Sequence, residues 1–176
     1  MKQVYIVTES DADIGILRKL LPSDIVKDVG FIAGSNRYGA HSLATSILAV
    51  KRCPVGLVMG TDTVDENVIQ EQKEYIQELL QRASAGIQFG VFLVVPEIEA
   101  ILFQDATLIS EMNGQSVSTF ELELAKAQPK SYLARSHKDA QTILDDLDSE
   151  SLENLRRHPL IDELNQFLNS IIDEDN

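Results

Sequence analysis

Four short apolar runs recur along the first hundred residues: QVYIVT (3–8), IVKDVGFIAG (25–34), VGLVMG (55–60) and QFGVFLVV (88–95). The segments between them carry apolar residues at helical spacing. Residues 12–21 place Ile14, Leu17, Leu20 and Leu21 on one face and stop at Pro22; residues 39–52 repeat the pattern with Leu43, Ile47 and Val50; residues 65–83 do so with Ile69, Ile76, Leu80 and Ala83. Near-continuous apolar strands alternating with helices point to a parallel sheet covered by helices on both faces. The expectation is an α/β fold, three-layered and Rossmann-like, with a mainly parallel sheet of about four strands. Such sheets collect their ligands at the carboxyl ends of the strands.

The pattern changes after Pro96. PEIEAILFQD (96–105) reads as a helix start, with Pro at the first helical position and acids in the first turn. Residues 105–120 are mixed and broken by MNGQS, and helical patterns follow over 119–127, 136–147, 150–157 and 159–172. Residues 1–104 therefore form the expected α/β core. Residues 105–176 form a helical extension packed on it as one structural unit, with a frayed terminal DEDN.

Composition narrows the function classes. At 176 residues with 44% apolar content, the chain has enough apolar material for one domain with a substantial core. The longest apolar run, GVFLVVP, is far too short for a membrane span. MKQVYIVTES passes into an acidic turn without a cleavage-site pattern, so the expected location is the cytoplasm, with no membrane partner. The single Cys53 cannot form an internal disulfide and reads as a small packed side chain rather than a reactive thiol. The net charge is −13, of which residues 139–176 supply −9 with 11 acids and 2 bases. A broad phosphate-backbone footprint needs clustered Lys and Arg, which this chain lacks. Contact with nucleic acid is thus expected to be local and metal-assisted, or made through a protein partner.

Three strands deliver acids to one edge of the expected sheet. The first ends at Glu9, the third runs into MGTDTVDEN with Asp62 and Asp65, and the fourth leads through Pro96 to Glu97 and Glu99. Carboxylates gathered there repel unless a cation or a proton intervenes. Oxygen donors without His or Cys suit Mg²⁺ or Mn²⁺, which use few protein carboxylates and leave room for water and phosphate oxygens. Acids at helix N-termini are also favoured by the macrodipole, by about 0.3–1 kcal/mol each. That alternative covers Asp11, Asp65, Glu66 and Glu97. It covers Glu9 and Asp62 less well, because these terminate strands.

The order of these residues resembles the Toprim domain shared by topoisomerases, bacterial primases and the overcoming-lysogenization-defect (OLD) family nucleases. VYIVTESDADIGILRKLL matches its first motif, with Glu9, Ser10 in the usual Gly place, Asp13 opening a helix, and Leu17, Leu20 and Leu21. GFIAGSNRYGAHSLATSIL, which includes Gly34, is similar to the glycine stretch of small stand-alone bacterial Toprim-like proteins, as are PEIEAILFQD and QPKSYL. In VGLVMGTDT, Asp62 occupies the second place of the Asp-x-Asp motif and Gly60 stands where the first Asp belongs. The resemblance covers residues 3–104 best. It implies that Glu9 is a general acid/base or a ligand, that Asp62 is a Mg²⁺ ligand, and that Asp13 supports the motif turn. Asp65 or Glu99 would replace the carboxylate missing at Gly60.

Two basic residues join the candidate site as binding groups. Arg37 lies in the glycine-bounded loop GSNRYG after the second strand, where backbone N–H groups and a guanidinium suit a phosphate. Lys130, with Lys126, is long enough to reach the sheet edge from the helical part, though the sequence does not fix where either lies. His41, His137 and His158 share no metal-ligand spacing, the Arg156–Arg157–His158 run suits a helix C-terminus, and no Walker or dinucleotide glycine motif is present. Two functions remain open: Mg²⁺-dependent, nuclease-like phosphodiester chemistry, or a catalytically degenerate Toprim module that binds a protein partner. A phospho-receiver fold, which also clusters acids, would want a Lys just after a late strand, and LVVPEIEA has none.

Overall fold

The computed structural model describes residues 3–173, so the end of the expected frayed terminus, residues 174–176, lies outside the described part. Four strands, β1 (Val4–Thr8), β2 (Val29–Ala33), β3 (Val55–Gly60) and β4 (Phe89–Val94), form one sheet in the order β2-β1-β3-β4. All neighbours are parallel, with Thr8 level with Ala33 and Gly60 level with Val94. The fold is the expected α/β arrangement, and every strand ends at the same edge.

Period-two alternation divides the strand side chains between two cores. Val4, Ile6, Val58, Phe92 and Val94 face one side, where they pack against helix α1 (Asp11–Leu20) and the helical segment beyond residue 98. Tyr5, Val7, Val55, Leu57, Met59 and Val91 face the other, against helices α3 (Arg37–Ser46) and α4 (Glu66–Ser84). Leu17 and Leu20 of α1 are fully buried. Side chains of this size each contribute about 1.5–3 kcal/mol when removed from water.

The strand expected over 25–34 starts later, because Ser23–Val26 form a short helix, α2, that turns Ile25 into the core. The helix expected over 39–52 begins at Arg37 and widens into a π-turn over Ile47–Lys51. The buried stripe runs through Ala40, Ala44, Ile47 and Leu48, and the wider last turn leaves Val50 exposed. Pro96 does not open a helix. Glu97 is the N-cap of a 3-10 segment, Ile98–Phe103, which replaces the α-helix read from PEIEAILFQD.

Helices α5 (Thr107–Asn113), α6 (Thr119–Ala127), α7 (Pro129–Arg135), α8 (Ala140–Asp146), α9 (Ser149–Arg156) and α10 (Pro159–Asp173) complete the chain. Where the sequence suggests one helix over 136–147, the structure has a shorter α8 capped by Asp139, and α7, opened by Pro129, precedes it. Leu133, Ile143, Leu144, Leu155, Leu164 and Leu168 join the core that contains β1 and α1. The helical segment therefore shares a core with one face of the sheet. Among the described residues no helix is long and apolar enough to cross a membrane.

Candidate functional site

At the carboxyl edge a cavity of about 210 Å³ is lined by Glu9, Ser10, Asp13, Ser35, Asn36, Val58, Met59, Gly60, Asp62, Val94, Glu97, Ile98 and Lys130. Glu9 follows β1 directly. Its Oε1 accepts a hydrogen bond from Gly60 N at 2.9 Å, and its second oxygen accepts none from the described residues. Burial pushes the Glu9 carboxyl above its ordinary value. The Gly60 N–H and the Arg37 guanidinium oppose that shift, and Asp62 and Asp13 reinforce it.

Asp13 is held by the helix start. Ser10 is the N-cap of α1, its Oγ accepting from Asp13 N at 3.3 Å, while Ser10 N donates to Asp13 Oδ2 at 3.1 Å. This reciprocal capping box satisfies two otherwise orphaned donors and fixes how the chain leaves β1. Gly34, at the end of β2, serves close packing. A Cβ there would lie 2.1 Å from Ala40 N, so the α3 backbone excludes any side chain. The loop instead offers Ser35, in the left-handed region at φ 66°, and Asn36, which caps α3 through Gly39 N at 2.8 Å.

Asp62 leaves β3 in a left-handed conformation, φ 55°, fixed by backbone bonds from Thr61 N and Asp62 N to Pro96 O at 2.8 and 3.0 Å. Its carboxylate is engaged: Arg37 Nη2 donates to Asp62 Oδ2 and to Gly60 O, both at 2.7 Å. The empty place of the first motif Asp is packed shut, since a Cβ on Gly60 would meet Pro96 O at 2.8 Å.

The remaining candidates fall into two groups. Asp65 is not among the cavity-lining residues; its Oδ1 accepts from Asn67 N at 2.9 Å and Val68 N at 3.3 Å as the N-cap of α4. Glu99 is only 6% exposed, and its Oε2 is buried without a hydrogen bond. Burial raises its pKa, with Lys130 opposing. Lys130 Nζ lies 3.6 Å from Glu97 Oε1 and 4.0 Å from Glu99 Oε2. Burial pulls the Lys130 ammonium down, but Glu99, Glu97, Asp13 and Glu9 outweigh it and hold it above the ordinary lysine value. For Glu97 the sequence allows either a strand-end acid or a helix cap. The residue makes no side-chain cap bond and lines the cavity beside Lys130. Its position just past a strand end, the same cue that singled out Glu9, was the available signal.

Among the described residues, no group of three or more His, Cys, Asp or Glu side chains is arranged to hold a metal ion. The donor chemistry nevertheless suits Mg²⁺ or Mn²⁺. The acids that line the cavity, Glu9, Asp13, Asp62 and Glu97, offer oxygen alone, and Mg²⁺ ordinarily takes only one or two protein carboxylates; Glu99, expected as a ligand, is not among the lining residues.

No protein-family model and no curated protein sequence matches the chain. Two solved structures share its fold. The C-terminal region of the Burkholderia pseudomallei OLD protein aligns with a TM-score of 0.51 at 14% identity, over 93% of this chain and 99% of that one. The C-terminal region of the Xanthomonas campestris pv. campestris OLD protein aligns with a TM-score of 0.57 at 10% identity, over 99% of this chain and 98% of that one. The likeness at these identities is one of fold, and it agrees with the motif order read from the sequence: the chain has the Toprim-like α/β fold of the OLD protein C-terminal region.

Proposed function

We propose that the cavity at the carboxyl edge carries out nuclease-like hydrolysis of a phosphodiester, with Glu9 as the proton-transfer group. The observation that carries this reading is the Glu9 carboxyl itself. It sits at a strand end, held by Gly60 N–H through one oxygen, raised in pKa by burial, and set in a cavity that also presents Lys130. A carboxyl shifted toward neutrality serves better as a general acid or base than one that is fully ionised.

In the reaction, water adds to phosphorus and releases one proton to solvent while the P–O bond to the leaving alkoxide breaks. Protonated Glu9 gives its proton to that alkoxide and is reprotonated from solvent. Lys130 draws the phosphate into an otherwise acidic cavity, and its pairing with Glu97 and Glu99 keeps it charged and oriented. Asp62, which lines the cavity, would hold Mg²⁺ or Mn²⁺, which would neutralise phosphate charge and polarise the phosphoryl group. The substrate class is nucleic acid contacted locally, consistent with the net charge of −13, and a protein partner would supply any wider grip.

The deciding experiment is a cleavage assay on single- and double-stranded DNA and RNA with Mg²⁺ or Mn²⁺, comparing wild type with Glu9→Gln. Cleavage that needs the metal and drops at least about a hundredfold in the variant is expected, the usual scale of acid–base assistance. Cleavage equal in both proteins removes Glu9 from the chemistry. The second reading, a degenerate module that binds a protein partner, is favoured by the closed place at Gly60 and the Arg37–Asp62 pair. Absence of Mn²⁺ binding at millimolar concentration, with a phosphodiester present as well as without it, selects it.

A further inference from the structure

Arg37 occupies an unusual place for a residue read as a phosphate binder. One nitrogen, Nη2, bridges Gly60 O and Asp62 Oδ2 at 2.7 Å each, so it reaches the last residue of β3 and the carboxylate two positions beyond it. Its Nε is buried without a hydrogen-bond partner, which leaves the guanidinium only partly satisfied where it lies. The Asp62 side chain is 63% exposed and that of Arg37 28%, so the pair borders solvent and is not locked in the core. A pair of that kind is weak and exchanges readily. It also sets a positive charge on the carboxylate that a divalent ion would need.

We propose that Arg37 is a displaceable internal counter-ion: in the resting protein it closes Asp62 to divalent metal, and an arriving phosphodiester monoanion takes the guanidinium and opens Asp62. This inference rests on the metal-dependent reading and adds its regulation. Metal affinity then depends on substrate, because a phosphate oxygen offers Arg37 a charge-assisted partner at least as good as the carboxylate it leaves. By linkage the coupling is reciprocal, so metal also tightens the phosphodiester. The arrangement keeps an exposed acidic edge from holding metal idly when no substrate is present.

The test is a Mn²⁺ titration, followed by the electron paramagnetic resonance of free Mn²⁺, on wild type, Arg37→Met, Asp62→Asn and the double variant. Each is measured with and without dimethyl phosphate as the phosphodiester probe, and circular dichroism confirms folding. Removing one positive charge a few Å from a divalent ion is expected to tighten Mn²⁺ on the order of tenfold in Arg37→Met. That gain disappears in the Asp62→Asn background. Dimethyl phosphate tightens Mn²⁺ more in wild type than in Arg37→Met, because only wild type has a guanidinium to remove. Wild-type binding that depends on Asp62 but is unchanged or weakened by Arg37→Met overturns the counter-ion role and leaves the metal reading standing. Equal phosphate increments in the two proteins also overturn it. No Mn²⁺ binding by either protein, or binding indifferent to Asp62→Asn, overturns both.

Discussion

Gly60→Ala provides a direct check on why the motif lacks its first Asp. Gly60 closes β3 with ordinary strand backbone, so a methyl group there creates no dihedral strain. It creates a collision, because the new Cβ would lie 2.8 Å from Pro96 O and 3.4 Å from Glu97 Cα. The neighbour is backbone and cannot swing aside. It is also committed, since Pro96 O accepts from Thr61 N at 2.8 Å and Asp62 N at 3.0 Å. Overpacking of this kind costs about 1–3 kcal/mol, and weakening either bond adds part of the roughly 0.5–1.5 kcal/mol that a hydrogen bond contributes. Against this, replacing Gly by Ala lowers the entropy of the unfolded chain by an amount worth about 0.4–1 kcal/mol. The net expectation is a loss of about 1–2 kcal/mol, seen as a lower guanidinium midpoint at unchanged m-value and a melting temperature lower by roughly 2–8 °C for a chain of this size. Gly60→Asp should lose more, because it adds a carboxylate next to Glu9 and Asp62. An alanine variant as stable as wild type would refute the packing argument. An Asp variant that keeps its stability and gains Mn²⁺ affinity would show that the first carboxylate has merely been lost from a site still open to it.

Two further perturbations separate structural acids from functional ones and use pH as a probe. Asp65→Ala removes the acceptor for Asn67 N and Val68 N and should cost about 1 kcal/mol in denaturant unfolding, the usual worth of an N-cap. Mn²⁺ binding should be unchanged in that variant, and a loss there would return Asp65 to the ligand set. His158 Nδ1 accepts from Leu160 N at 3.2 Å at the start of α10, and burial holds its pKa below the ordinary 6.5, with Glu163 opposing. Between the folded and unfolded values the folded chain binds fewer protons, so stability is lost as pH falls below about 6.5, with a slope of at most about 1.4 kcal/mol per pH unit. Unfolding midpoints at pH 7.5 and 5.5 should therefore fall further for wild type than for His158→Asn, which keeps an acceptor without the titration; equal falls would exclude His158 as the source.

The fold was legible where burial is complete. Every residue of β1 is buried, so its apolar letters have no other reading, and the alternation with amphipathic helices then forces a parallel sheet. The misread stretches are those where the same letters serve two periods. IVKDV looks like the start of a strand, yet only Ile25 is buried in its first half, and a single turn of helix is enough to bury it. Val50 continues a 3.6-residue stripe on paper, but the π-turn over Ile47–Lys51 rotates it outward, and no local residue type announces that turn. In the last third Pro129, at the start of α7, is the sequence cue for that helix.

The candidate site divides along the same line. Glu9 and Asp62 are visible because one follows β1 directly and the other lies two residues past β3, and strand ends need no tertiary information to be placed at one edge. The bonds that give those residues different environments join sequence-distant elements. Gly60 N reaches Glu9 across 51 residues, Arg37 reaches Asp62 across 25, and the Lys130 backbone N–H meets Glu97 across 33. The consequence is an edge that is not a bare cluster of carboxylates. Glu9 is held by a backbone donor that cannot leave, and Asp62 by a side chain that can. A backbone donor fixes a carboxyl's position, which suits proton transfer. A guanidinium at a solvent border exchanges partners, which suits a ligand that must be released. On the proposed reading, the two acids that look equivalent in the sequence are fitted by their partners to different tasks, and displacement of Arg37 would free Asp62 and remove a charge that lowers the Glu9 pKa.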